Sequence, residues 1–130
     1  MQEHYIEKKI YYHDTDCGGV VYYANYLKYL EEGRCEYCLS QGVILKDLVN
    51  QGIYFVVART EIDYELPARY QDILKVFTRI EKIGRCSVDF IQEIKKENMV
   101  VVVAKTFWVC VGRDFKPLPV PEEVKQSFNR

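Results

Sequence analysis

The chain has 130 residues, 48% of them hydrophobic, with a formal net charge of −1. That length fits one domain with a real core, and that composition does not support disorder. The near-neutral charge gives no general basis for binding nucleic acid or an anionic membrane, and no run approaches the ~20 apolar residues of a spanning helix.

Five cysteines and no secretory leader pattern point to a reduced, cytoplasmic protein. Residues 5–13 read as a strand, with Ile6, Ile10 and Tyr12 on one parity and Lys8 breaking the apolar face. Residues 14–21 form a loop rich in turn formers. From about Tyr23 the period becomes helical. Tyr26, Leu30, Gly33 and Tyr37 make a stripe flanked by Leu27 and Cys38, while Glu31, Glu32, Arg34 and Glu36 take the other side. Gly42 is placed to end this helix. Gly33 inside it costs about 1 kcal/mol relative to Ala, which predicts close backbone packing against a sheet. A shorter helix is expected over 44–50.

Strands follow. In 53–66 one face carries Tyr54, Val56, Ala58, Thr60, Ile62, Tyr64 and Leu66, and the other changes from apolar to charged at Arg59. That pattern fits a strand buried on both faces at one end and solvated at the other. Residues 72–83 and 86–96 alternate, with hairpin turns at Ile83-Gly84-Arg85 and Lys96-Glu97-Asn98. Residues 99–111 are apolar at nearly every position, as in a strand buried on both faces. After Gly112 the prolines Pro117, Pro119 and Pro121 predict an extended tail, from about 113, and a short terminal helix.

The order is strand, long helix, then four long strands. It predicts an α+β domain over 1–130, an antiparallel sheet around one helix. The apolar area left exposed predicts an oligomer. The eleven Tyr and six Phe are assigned to core and subunit interface.

The chemistry concentrates at Asp14-Thr15-Asp16-Cys17-Gly18-Gly19-Val20-Val21-Tyr22-Tyr23-Ala24-Asn25-Tyr26. Two carboxylates precede a Gly-Gly hinge, and a helix begins just beyond. A helix N-terminus offers unpaired N–H groups and a positive dipole end. A carboxylate beside it can act on an electrophilic carbon whose oxygen those N–H groups polarise, so acyl transfer is the first chemistry to consider. Plainer roles stand alongside: Asp16 as turn former or helix cap, Asp14 as a loop-stabilising acceptor. Gly18 and Gly19 allow positive φ and a close ligand approach. His13 could assist proton transfer or lie on the surface, and Cys17 makes no recognisable triad with His4 and His13. Cys35-Glu36-Tyr37-Cys38 has no second ligand pair and reads as core.

This string resembles the signature of the 4-hydroxybenzoyl-CoA thioesterase branch of the hot-dog fold, in particular its YbgC-like acyl-CoA thioesterases. A second match covers Phe55–Tyr64 and Pro67–Tyr70, and the similarity runs roughly from Tyr5 to Gly112. The resemblance implies a five-stranded antiparallel sheet wrapped around a long central helix. It implies a dimer with the sheets joined edge to edge, and often a tetramer. It implies an acyl-CoA substrate and no metal or redox cofactor, coenzyme A being part of the substrate. Asp16 takes the position of the nucleophile or general base. Tyr23 takes the position whose backbone N–H polarises the thioester carbonyl. Many YbgC-like members have His there. This chain has Tyr, as the benzoyl branch does, which removes one candidate base and leaves aromatic and aliphatic acyl groups both open. Gly19, Val20, Tyr22 and Asn25 are expected at the pocket, and Thr60 near it across the dimer interface. Arg59, Arg69, Lys82 and Arg85 are candidates for the coenzyme A phosphates, or else solvated surface charges. The alternatives are a thioesterase for acyl groups on acyl carrier protein, and a non-catalytic binder of acyl-CoA or a protein partner.

Overall fold

A computed structural model describes residues 3–129. The elements are β1 (His4–Lys9), α1 (Tyr26–Ser40), α2 (Leu45–Asn50), β2 (Tyr54–Tyr64), β3 (Ile73–Ile83), β4 (Ser87–Lys96), β5 (Met99–Val111) and α3 (Glu122–Phe128). Single 3-10 turns occupy Tyr12–Asp14 and Tyr23–Asn25. The five strands form one antiparallel sheet in the order β1-β3-β4-β5-β2. α1 lies on its inner face, the hot-dog arrangement. The alternating apolar residues of β3, β4 and β5 supply that face, including Leu74, Val76, Val88, Phe90, Ile94, Val102, Ala104 and Trp108, all buried.

The buried residues fall into two clusters along α1. One surrounds the helix start, with Ile10, Val21, Tyr26, Ala68, Leu74 and Val102. The other surrounds its end, with Cys38, Phe90, Trp108, Val124 and Phe128. Gly33 sits between them. A Cβ there would stand 2.7 Å from Val76 Cγ1 and 3.0 Å from Gln92 Nε2, so the expected close packing is present.

Four expectations need correction. β1 ends at Lys9 rather than 13. Beyond it the Ile10 N–H donates to the Asp72 carbonyl at 2.8 Å, and the chain then leaves the sheet through a 3-10 turn. Tyr12 is therefore 77% exposed and not on the apolar face. Lys8 does point inward, but its ammonium lies 5.2 Å above the Tyr29 ring and 3.8 Å from Glu32, a way of burying the stem while pairing the charge.

The helix stripe is shifted. Arg34, expected among the charged outer residues, is only 7% exposed, whereas Leu27 is 46% exposed. The Arg34 Nη1 donates to Gln92 Oε1 at 3.1 Å and Thr106 Oγ1 at 3.4 Å. Gln92 Nε2 in turn donates to the Leu30 carbonyl and Thr78 Oγ1, both at 2.9 Å. These partners come from three strands, so no periodicity along α1 announces them.

β2 carries a bulge between Val57 and Arg59, with Ala58 as the extra residue. One alternation therefore does not run through the strand. Phe55 and Val57 oppose the inward Cys110 and Trp108 before the bulge, and Thr60, Ile62 and Tyr64 oppose Thr106, Ala104 and Val102 after it. A bulge reverses which parity faces inward.

β5 is not buried on both faces. Its inner residues are buried, but Val103, Lys105, Phe107 and Val109 on the outer face are half-buried. One helix layer covers only one side. At the other sheet edge β1 pairs β3 only as far as Thr78, and among the described residues Arg79–Ile83 have no strand neighbour on that side.

Candidate active site

The segment Thr15–Val21 folds into a tight hairpin. Thr15 and Val21 form an isolated bridge. The Asp16 N–H donates to the Val20 carbonyl at 2.9 Å, and the Gly19 N–H donates to the Asp16 carbonyl at 3.1 Å. Gly19 adopts φ +79°, which only glycine takes without strain. At the tip the Asp16 Oδ1 accepts the Gly18 N–H at 2.7 Å. Its other oxygen has no hydrogen-bond or ion-pair partner among the described residues, and the residue is exposed. The hairpin is tied down by Val21, whose N–H donates to the Ala68 carbonyl at 2.8 Å, and by a bridge between Val20 and Arg69.

Asp14 has a different environment. It is buried, and its Oδ2 accepts the Tyr11 N–H at 2.9 Å. Burial pushes its carboxyl up, but the Tyr11 N–H, the Tyr29 hydroxyl close by, Lys8 and His13 outweigh it and hold the group below the usual carboxylate value. The Tyr29 hydroxyl reaches that neighbourhood without hydrogen-bond geometry and has no formal partner. The Asp14 carbonyl accepts both the Tyr22 N–H and the Asn25 Nδ2, each at 3.0 Å. Asp14 is thus the structural acid of the pair, and Asp16 the available one.

The chain enters α1 through the turn Tyr23–Asn25 rather than beginning the α-helix at Tyr23. Tyr22 is extended, and the Asn25 N–H closes the turn on its carbonyl at 2.8 Å. Among the described residues the N–H groups of Tyr23 and Ala24 meet no protein acceptor. Such unpaired donors are where a helix start can polarise a bound oxygen. Tyrosines crowd this corner. Tyr22 and Tyr23 have ring centroids 5.0 Å apart, and Tyr23 is 61% exposed. The Tyr64 hydroxyl donates to the Tyr23 carbonyl at 3.3 Å.

The fold therefore brings Asp16, Gly19, Val20, Tyr22, Tyr23 and Asn25 into one hairpin and helix start. Asn25 faces the Asp14 carbonyl, as a clamp. Arg69 lies alongside through its bridge to Val20. Thr60 opposes Thr106 on the inner face of β2, half-buried. Arg59 is exposed and pairs with Glu61 at 3.2 Å. Lys82 and Arg85 sit at the β3–β4 hairpin, where the Arg85 carbonyl accepts the Val120 N–H. Ile83 there packs on the cluster at the end of α1, and Val21 and Ala68 on the cluster at its start. One chain does not join these two cations to Asp16. A cleft of about 750 Å³ also lies at that far end, between Tyr37, Ile80, Ile83 and Phe128. Cys17 is exposed beside Asp16. Cys38 is fully buried, with its thiol pushed up to about 12 by burial, so the Cys35-Cys38 pair belongs to the core at that residue.

Sequence reading missed Tyr64 as a site residue. It stands within the second matching string, but its hydroxyl meets a carbonyl 41 positions away, and no local pattern encodes that.

The family model for the thioesterase-like superfamily matches residues 11–128. The chain belongs to that superfamily. Among curated relatives, the acyl-CoA thioesterase YbgC of Haemophilus influenzae is 34% identical over 93% of this chain and 90% of its own. The YbgC thioesterase of Helicobacter pylori strain J99 is 38% identical over 93% and 96%. A probable thioesterase from Bartonella henselae superposes with a TM-score of 0.86 at 30% identity, over 92% of this chain and all of the other. A DHNA-CoA thioesterase from Staphylococcus aureus superposes with a TM-score of 0.93 at 26% identity, over 99% and 90%. Both the Asp16 hairpin and the start of α1 fall inside the family match.

Proposed function

We propose that this thioesterase-superfamily protein hydrolyses acyl-CoA thioesters at the Asp16 hairpin. The observation that carries the reading is the pairing of an exposed carboxylate with two unpaired N–H groups across one short hairpin. The thioester carbonyl oxygen accepts the N–H groups at Tyr23 and Ala24, which makes the carbonyl carbon electrophilic. Asp16 then acts in one of two ways. As nucleophile it adds to the carbon, the C–S bond breaks, coenzyme A leaves as thiolate and is protonated by water, and water cleaves the resulting mixed anhydride. As general base it takes a proton from water, the hydroxide adds, and the proton passes to the departing sulfur. Both routes end in free acid and coenzyme A and restore the carboxylate. Neither needs a group beyond the substrate.

The site opens to solvent in one chain, and a second copy would close it. β2 is a sheet edge with free backbone groups, suited to pairing. Two copies joined there across a twofold axis run antiparallel. That sets the Asp16 end of one at the same end of the assembly as the Lys82–Arg85 hairpin of the other, where cations could meet the coenzyme A phosphates. The five free thiols fit a reducing compartment.

The deciding experiment measures free coenzyme A release from short and long aliphatic, benzoyl and hydroxybenzoyl thioesters, with Asp16→Asn beside wild type. Turnover lost in the variant supports the reading and identifies the acyl class. No release from any member, or wild-type turnover in a folded Asp16→Asn protein, overturns it.

A further inference from the structure

The two amides that carry the free donors are themselves held from behind. The Tyr22 carbonyl shares an amide with the Tyr23 N–H and accepts the Asn25 N–H at 2.8 Å. The Tyr23 carbonyl shares an amide with the Ala24 N–H and accepts the Tyr64 hydroxyl at 3.3 Å. The first support belongs to the turn. The second arrives from the end of β2.

A hydrogen bond accepted at a carbonyl polarises the whole amide and strengthens its N–H as a donor. It also restrains the plane in which that N–H points. A 3-10 turn has poorer internal hydrogen-bond geometry than an α-helix, so outside support matters more here than within α1. Tyr64 is built for this role. Its ring centroid lies 6.1 Å from that of Tyr23, edge-on, and 5.7 Å from that of Tyr26. The Tyr26 hydroxyl is itself fixed, accepting the Ala68 N–H at 3.2 Å. Partial burial, and Tyr23 nearby, hold the Tyr64 phenol above its ordinary value, which keeps it a neutral donor.

We infer that Tyr64 is a positioning residue for thioester hydrolysis, acting through the Tyr23 carbonyl to aim and strengthen the Ala24 N–H. The inference rests on the thioesterase reading above. It asks nothing of Tyr64 toward substrate. Its effect therefore falls on the chemical step rather than on binding.

The test compares wild type, Tyr64→Phe, Tyr64→His and a control, Tyr5→Phe, on the acyl-CoA that wild type turns over best. Tyr64→Phe keeps the ring and loses the donor. Its kcat falls about tenfold, less than the ~10²–10³ of losing an oxyanion donor outright, while KM and thermal midpoint stay at wild-type values. Tyr64→His restores a planar ring with an N–H and falls between the two. Tyr5, on β1, is outside the site, and its variant keeps wild-type kcat. A Tyr64→Phe protein with unchanged kcat overturns the inference alone, as does one in which only KM rises or in which kcat falls together with the thermal midpoint. A wild-type protein without turnover overturns the thioesterase reading, and this inference with it.

Discussion

The Arg34 guanidinium and the Gln92 amide meet at 3.1 Å in the core, between α1 and the sheet. Among the described residues no carboxylate pairs with Arg34, and its Nε has no partner. A buried cation held by neutral acceptors, with the Trp108 ring centre 6.0 Å away, is sensitive to losing one of them. Gln92→Leu leaves the guanidinium only the longer 3.4 Å contact to Thr106 Oγ1, and costs about 3 kcal/mol. Arg34→Met removes the charge along with its desolvation and costs about 1 kcal/mol. Urea denaturation of both variants checks the order. A larger loss for Arg34→Met would contradict it.

Gly33→Ala tests the helix-to-sheet contact. Alanine is worth about 1 kcal/mol over glycine in an exposed helix. Here the added methyl would press on Val76 Cγ1 at 2.7 Å, in the face of Gln92 and Thr78. Overpacking of that kind costs roughly 1–3 kcal/mol, so the net effect is destabilising. A raised midpoint in thermal unfolding would show that α1 can move outward freely.

Asp14 makes stability depend on acid. Its folded carboxyl sits below the ordinary value, so the unfolded chain takes up the proton first as pH falls. The stabilisation is complete above the unfolded value, about 3.9, and is lost as pH drops through the folded one. Asp14→Asn removes this part of the acid sensitivity. Thermal midpoints between pH 6 and pH 3 should fall less steeply in the variant. Parallel curves would mean that the fold does not hold the Asp14 carboxyl below its unfolded value.

Asp16→Asn separates folding from chemistry. Asparagine retains an oxygen in place of Oδ1, so the 2.7 Å bond from the Gly18 N–H survives, and the hairpin keeps its shape. The variant has an unchanged thermal midpoint and loses about 10²–10⁴ in kcat, the usual range for a lost general base. A destabilised variant would mean that the charge, and not the acceptor, holds the turn.

Much of the fold is legible where the determinants are local. Alternation in β3 and β4, the turn at Gly84, the proline tail and the tight position of Gly33 are all visible in short windows of sequence. The acidic hairpin is legible too, through its Gly-Gly and the resemblance it carries. What escapes is what long-range pairing decides. Ala58 looks like one more member of a regular strand, and only the partner residues on β5 make it a bulge. Arg34 looks like a solvated charge until Gln92 and Thr106 arrive from other strands. The helix start escapes by three residues, because Asn25 and Tyr64 stabilise a tighter turn there than the apolar period implies.

The short β1 has a consequence for handling the protein. Among the described residues it begins at the partner of Thr78, and five residues of β3 have no strand neighbour on that side. Such an edge recruits strands from other molecules and seeds aggregation. Here a bulge between Ile80 and Lys82 bends it, and Arg79, Glu81 and Lys82 surround it with charge. Charges at such positions guard an edge against pairing with other chains. A double change of Arg79 and Lys82 to valine would turn a guarded edge into a template, and light scattering on concentration would register it before any loss of fold.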